Sequence, residues 1–67
     1  MTANKFYIVK EGKVLTNHGM KNFWFTNNEN FAYPIDSEIE ANKIASQYEA
    51  DVVEGFSNLA KYILENE

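Results

Sequence analysis

The chain has 67 residues, with six Lys, no Arg, ten Asp and Glu, one His and no Cys, for a formal net charge of -4. Without cysteine there is no disulfide and no thiolate metal site, and the single imidazole, His18, is too little for a structural zinc centre. A chain this short buries only roughly 60% of the surface its unfolded state exposes, so it must pack its aromatics tightly or associate; one Trp, four Tyr and five Phe favour tight packing.

Phe6-Tyr7-Ile8-Val9 is β-branched and aromatic and reads as a strand. Both of its faces are apolar, which places it centrally in a sheet or under cover on both sides. The run is too short for the apolar core of a signal peptide, and no stretch approaches a membrane span. Glu11-Gly12 supplies a tight turn, and Val14-Leu15-Thr16 returns as a second strand. Asn17-His18-Gly19 reads as the next break. Phe23-Trp24-Phe25-Thr26 is a third strand, and Asn27-Asn28-Glu29-Asn30 a turn, because Asn tolerates left-handed backbone angles. Phe31-Ala32-Tyr33 is a short extended piece, ended by Pro34, which does not suit a central strand.

Ser37-Glu38-Ile39-Glu40 matches a capping box, with the Ser37 hydroxyl accepting from the Glu40 N–H and Glu40 reaching back to Ser37. Asp36, Glu38 and Glu40 also lie at the positive end of the helix dipole. Ala41, Ile44, Ala45 and Tyr48 follow at helical spacing and form the buried stripe of a helix over about 37–50; Ile39 falls off that stripe. Val52-Val53 reads as a fourth strand. A second helix is expected over about 57–65, with Ser57 as N-cap and Phe56, Leu59, Ala60, Ile63 and Leu64 on one face. It would cover the second face of the sheet or, alternatively, form a docking helix or homodimer seam. The order β-β-β-α-β-α predicts one α+β domain over 1–67, a small antiparallel sheet of three to four strands with two helices.

Candidate chemistry is sparse. His18 sits in a turn with no nucleophile in motif context beside it. Asp36, Glu38 and Glu40 point in different directions around a helix start, so dipole stabilisation explains them better than metal binding. Glu49, Asp51 and Glu54 lack the alternating ligands and sharp-turn glycine of a calcium loop. Gly12, Gly19 and Gly55 are scattered, and nothing resembles a phosphate-cradling loop. The expectation is therefore no catalytic residue, no cofactor and no metal.

Charge is unevenly spread. Residues 1–28 carry Lys5, Lys10, Lys13 and Lys21 against Glu11, a balance of +3, whereas 29–67 carry nine acids against Lys43 and Lys61, a balance of -7. Aromatics near the N-terminal lysines suggest stacking of single-stranded bases, but the lack of Arg and the acidic balance argue against nucleic acid, and a small domain needs its aromatics for its core.

The pattern Lys13-x-Leu15-Thr16, Trp24, Ala32-x-x-Ile35-x-Ser37-x-x-Glu40-Ala41-x-x-Ile44-Ala45 and Val52-Val53-Glu54 resembles small uncharacterised proteins encoded by phages and prophages of Gram-positive bacteria. The resemblance covers roughly residues 5–54. The chain departs from it at Pro34 and in the segment after Phe56, which reads as an added helix. It implies phage origin and a hairpin–strand–helix–strand fold, and it carries over no functional site. The reading that follows is a non-enzymatic accessory protein in the bacterial cytoplasm that binds a host or phage protein, with Trp24, Tyr33, Ile39 and Glu38 as anchors. The alternatives are an acidic mimic of nucleic acid that blocks a host defence or replication protein, and a weak single-strand binder. A homodimer is left open.

Overall fold

The computed structural model describes residues 4–18 and 22–66, and describes side chains for 4–16 and 25–66. Four strands form one antiparallel sheet in the order β3-β2-β1-β4: β1 is Phe6–Lys10, β2 Lys13–His18, β3 Asn22–Thr26 and β4 Asp51–Glu54. A short 3-10 turn spans Glu29–Phe31, helix α1 spans Glu38–Tyr48 and helix α2 spans Phe56–Glu65. The element order is the expected β-β-β-α-β-α.

The two central strands are joined by Glu11 (φ 51°) and Gly12 (φ 80°), a two-residue turn with both central residues left-handed, which suits the twist of a hairpin. Gly12 is buried, its N–H donates to the Tyr62 hydroxyl at 3.0 Å, and a Cβ there would lie 2.8 Å from the Asn66 Cβ. Glycine is therefore needed twice over, for its angle and for the close approach of α2. Asn17 and His18, expected as a break, continue β2 opposite Phe23 and Asn22. Pairing on the β3 side overrides their turn preference; Gly19 lies outside the described residues.

The segment after the 3-10 turn does something a plain connection would not. β1 and β2 pair at Lys10↔Lys13 and Val9↔Val14 and then part. Ala32 bridges Thr16 on the β1 side of β2, and Tyr33 N–H donates to the Leu15 carbonyl at 2.9 Å. Across Pro34 the chain passes to β1, where Phe6 and Ile35 exchange both backbone hydrogen bonds, at 2.8 and 3.0 Å. Residues 32–35 thus fill the fork between the two central strands. Pro34 falls at the one position of this segment where no N–H is needed, so its missing donor does no harm.

Alternation on β1 sends Tyr7 and Val9 to one face and Phe6 and Ile8 to the other. Ile8, Leu15 and Ile35 pack under Ala41 and Ala45 of α1. Tyr7, Val9 and Val14 pack under Leu59 and Ile63 of α2. The sheet therefore lies between two helices, and α2 takes the second face. The Ser37 hydroxyl accepts from Glu40 N–H at 3.3 Å, so the hydroxyl half of the capping box forms.

Two expectations about α2 are corrected. Ser57 is not the N-cap: Gly55 is, at φ 90°, and the helix starts at Phe56. No side chain caps it; instead the Gly55 N–H donates to the Lys5 carbonyl at 2.7 Å, tying the helix start to β1. Leu64, placed on the buried face by the sequence, is 70% exposed, because the helix seats Leu59 and Ile63 at the sheet and turns its last apolar residue away. Phe56 is only half covered and meets the Tyr7 ring edge-on, with centroids 6.2 Å apart. The helix thus supports a direct prediction: Leu59→Ala lowers the unfolding free energy by about 3 kcal/mol, whereas Leu64→Ala changes it by less than about 0.5 kcal/mol, both read from urea denaturation. Equal losses would mean that α2 is seated differently.

Candidate functional site: a recess beside helix α1

Helix α1 packs over β1 and β4. The sheet is four strands wide; on this face Leu15 of β2 still packs under Ala41 and Ala45, and β3 lies beside the helix rather than under it. Between the helix flank and the β2 side of the sheet lies a recess, open to solvent and lined by Leu15, Tyr33, Ile44, Gln47 and Tyr48. Behind it the Tyr48 ring meets the Phe25 ring of β3 edge-on, with centroids 5.6 Å apart. Its lining is mainly apolar, with the Gln47 amide at its rim and Tyr rings in its wall. Rings that combine an apolar body with a polar tip are well suited to recognition.

Each lining residue is placed by a separate device. Leu15 is set by the hairpin register, Tyr33 by its N–H bond to the Leu15 carbonyl. Ile44, Gln47 and Tyr48 lie on one flank of α1 at spacings of three and four, as does Glu40 one turn earlier. The helix C-terminus is fixed at the same place. Lys10 Nζ donates to the Tyr48 carbonyl at 2.9 Å, where a cation also meets the negative end of the helix dipole. Glu49 follows in the left-handed region (φ 54°), and Ala50 N–H returns to the Ala45 carbonyl at 2.8 Å.

Of the residues picked out from the sequence, Tyr33 lies in the recess. Ile39 is 81% exposed on the outer face of the first turn of α1, with Glu38 exposed beside it; neither lines the recess. The backbone of Trp24 pairs with Thr16 in the sheet, and its side chain lies outside the described set, as does that of His18. Asp36 is engaged by Lys5 in an ion pair at the start of α1. Among the described residues no group of three or more His, Asp or Glu side chains converges as a metal site would require. The sequence pattern marks Ile44 and Tyr48 only as core, because helical spacing cannot tell the centre of a buried stripe from its edge.

Comparison with known proteins finds no family model, no curated protein and no solved structure that matches the chain. The fold and the recess are accordingly the basis of any functional reading. Among the described residues no helix is long and apolar enough to cross a membrane.

Two unfavourable features meet at the C-terminus of α1. Glu49 combines a left-handed backbone with a carboxylate at the negative end of the helix, both unfavourable for this residue. Glu49→Gly is predicted to stabilise the domain by about 1 kcal/mol, seen as a higher urea midpoint; a lower midpoint would show that the Glu49 side chain makes a compensating contact.

Proposed function

We propose that the protein is a non-enzymatic binding module that takes up an apolar or aromatic side chain of a partner protein in the recess beside α1. The observation that carries this reading is that the flank of α1 and the fork segment leave an open, mainly apolar recess at Tyr33, Ile44, Gln47 and Tyr48, with the buried Leu15 at its floor. A side chain inserted there would remove apolar surface from water while the exposed Gln47 amide supplies orientation. Tyr33 remains an anchor in this account, whereas Ile39 and Glu38 stand in the first turn of α1, outside the recess. The resemblance to small phage and prophage proteins supports an accessory role in the bacterial cytoplasm, with a host or phage protein as the partner.

A second reading has its own observation. Asp36, Glu38, Glu40, Glu49, Asp51 and Glu54 are all exposed, and α1 carries no basic residue in its last turn. Such a surface favours a partner that ordinarily binds nucleic acid, with the domain as an acidic mimic. Direct stacking of bases is less favoured, since Tyr7 is buried beneath α2 and Phe25 is engaged with Tyr48.

Position-specific photocrosslinking separates these readings. Benzoylphenylalanine is introduced at Gln47, on the recess flank of α1, and separately at Asn42, which is exposed on the opposite flank. The recess reading predicts a discrete protein adduct from position 47, absent from position 42 and insensitive to salt. Adducts from both positions that vanish between low salt and about 0.5 M salt would favour the acidic mimic, because exposed charge pairs are screened over a few ångströms at that strength. Adducts from position 42 alone would contradict the recess.

A further inference from the structure

We propose that the domain forms a two-fold dimer by pairing the outer edge of β3, the end strand of the sheet among the described residues, with the same edge of a second copy. The hydrogen-bond parity of the sheet carries this. In the two-residue turn at Glu11-Gly12, Lys10 and Lys13 form the closing hydrogen-bonded pair, so the backbone groups of Lys13 point to β1 and those of Val14 to β3. Leu15 confirms the alternation, since its carbonyl accepts from Tyr33 on the β1 side. Val14, Thr16 and His18 are then the residues of β2 bonded to β3, opposite Thr26, Trp24 and Asn22. It follows that the N–H and C=O groups of Phe23 and Phe25 point away from β2, along the outer edge of the sheet.

Those four groups suit a second copy of the same strand. An antiparallel pair centred on Trp24 sets Phe23 against Phe25 of the second copy, and Phe25 against its Phe23. Each is a hydrogen-bonding position on both strands. Asn22 falls opposite Thr26 of the second copy, and Trp24 opposite itself on the axis. The strand Asn22-Phe23-Trp24-Phe25-Thr26 reads polar, aromatic, aromatic, aromatic, polar in either direction and carries no charge. Aromatic pairs across antiparallel strands are favourable, and no like charges are brought together. The opposite edge is built differently: β4 has four residues and ends in Asp51 and Glu54, so a copy of itself would meet carboxylates. The molecule thus has one blunted edge and one self-complementary edge, which yields a closed pair rather than a filament.

The two-fold axis stands perpendicular to the sheet, so both α1 helices lie on one face of an eight-stranded sheet. The β2–β3 halves of that face then adjoin across the axis. Two recesses open onto one floor of four strands, about 14 Å between its outer strands. The pairing does not depend on what that recess binds.

The test is amide hydrogen exchange followed by NMR on the unmodified chain, at about 20 µM and about 1 mM protein, a range that spans weak self-association. The expected result is that the Phe23 and Phe25 amides slow by about tenfold or more at the higher concentration, while Trp24 is protected at both. Sedimentation should report a dimer in parallel. A chain that stays monomeric throughout, or a dimer whose Phe23 and Phe25 amides remain unprotected, overturns the proposal. Phe23→Pro gives a second reading, since it removes an outward N–H and leaves the β2 ladder intact: a folded monomer supports the edge dimer, and a persisting dimer contradicts it. Trp24→Lys, which would set two cations face to face on the axis, should likewise be monomeric.

Discussion

Phe6 and Ile35 exchange both backbone hydrogen bonds in the opening between β1 and β2, and the position of α1 depends on that exchange. Two central strands that part after two residue pairs would leave unsatisfied backbone groups in the middle of a sheet. Residues 32–35 supply the missing partners, first to β2 through Tyr33 and then to β1 through Ile35. The same residues deliver the chain to the start of α1. Ser37 caps the helix two residues after Ile35, and Lys5 pairs with Asp36 between them. The Lys5 carbonyl also takes the Gly55 N–H, so the entries of both helices are tied to the first residues of one strand.

The rest of the architecture follows from where that fork lies. Because α1 begins beside β1 and leads to β4 on its outer side, it lies over the β1–β4 half of the sheet. On the α2 face Val14 joins the core, and on the α1 face Leu15 packs under Ala41 and Ala45 while β3 lies beside the helix. The recess at Leu15, Tyr33 and Tyr48 is thus a consequence of topology rather than of a gap in packing. The same asymmetry distinguishes the two sheet edges, with the helix-backed β4 short and acidic and β3 uncharged and aromatic.

Much of this was legible locally. The four strands, the Ser37 cap, the Ala41–Ala45 stripe and the exposed Ile39 all follow from residue spacing and cap chemistry. What escaped was whatever depends on partners distant in the chain. Asn17 and His18 have turn character, yet β3 pairing draws them into a strand. Ser57 is a better capping residue than Gly55, yet the bond from Gly55 to Lys5, fifty residues away, starts the helix earlier. Leu64 shares the apolar side of α2 through Phe56 and Ala60 but lies about 140° around the helix from Leu59, and the face seated on the sheet is the Leu59–Ile63 side. Tyr33 was singled out as an anchor and lies in the recess, but Leu15, Ile44, Gln47 and Tyr48 join it through pairings that no local pattern records. Pro34 pointed to the end of an extended piece; in the structure it is the crossing point between two strands.

The measurement closest to the central claim is native-state hydrogen exchange of Tyr33 and Ile35 as a function of urea. If residues 32–35 are strand-like partners of β1 and β2, their amides open only with the core, and their exchange free energies converge with that of Ile8. Exchange of Tyr33 and Ile35 through a separate, low-energy opening, with Ile8 still protected, would show that the segment is an ordinary surface connection and that the fork does not organise the fold.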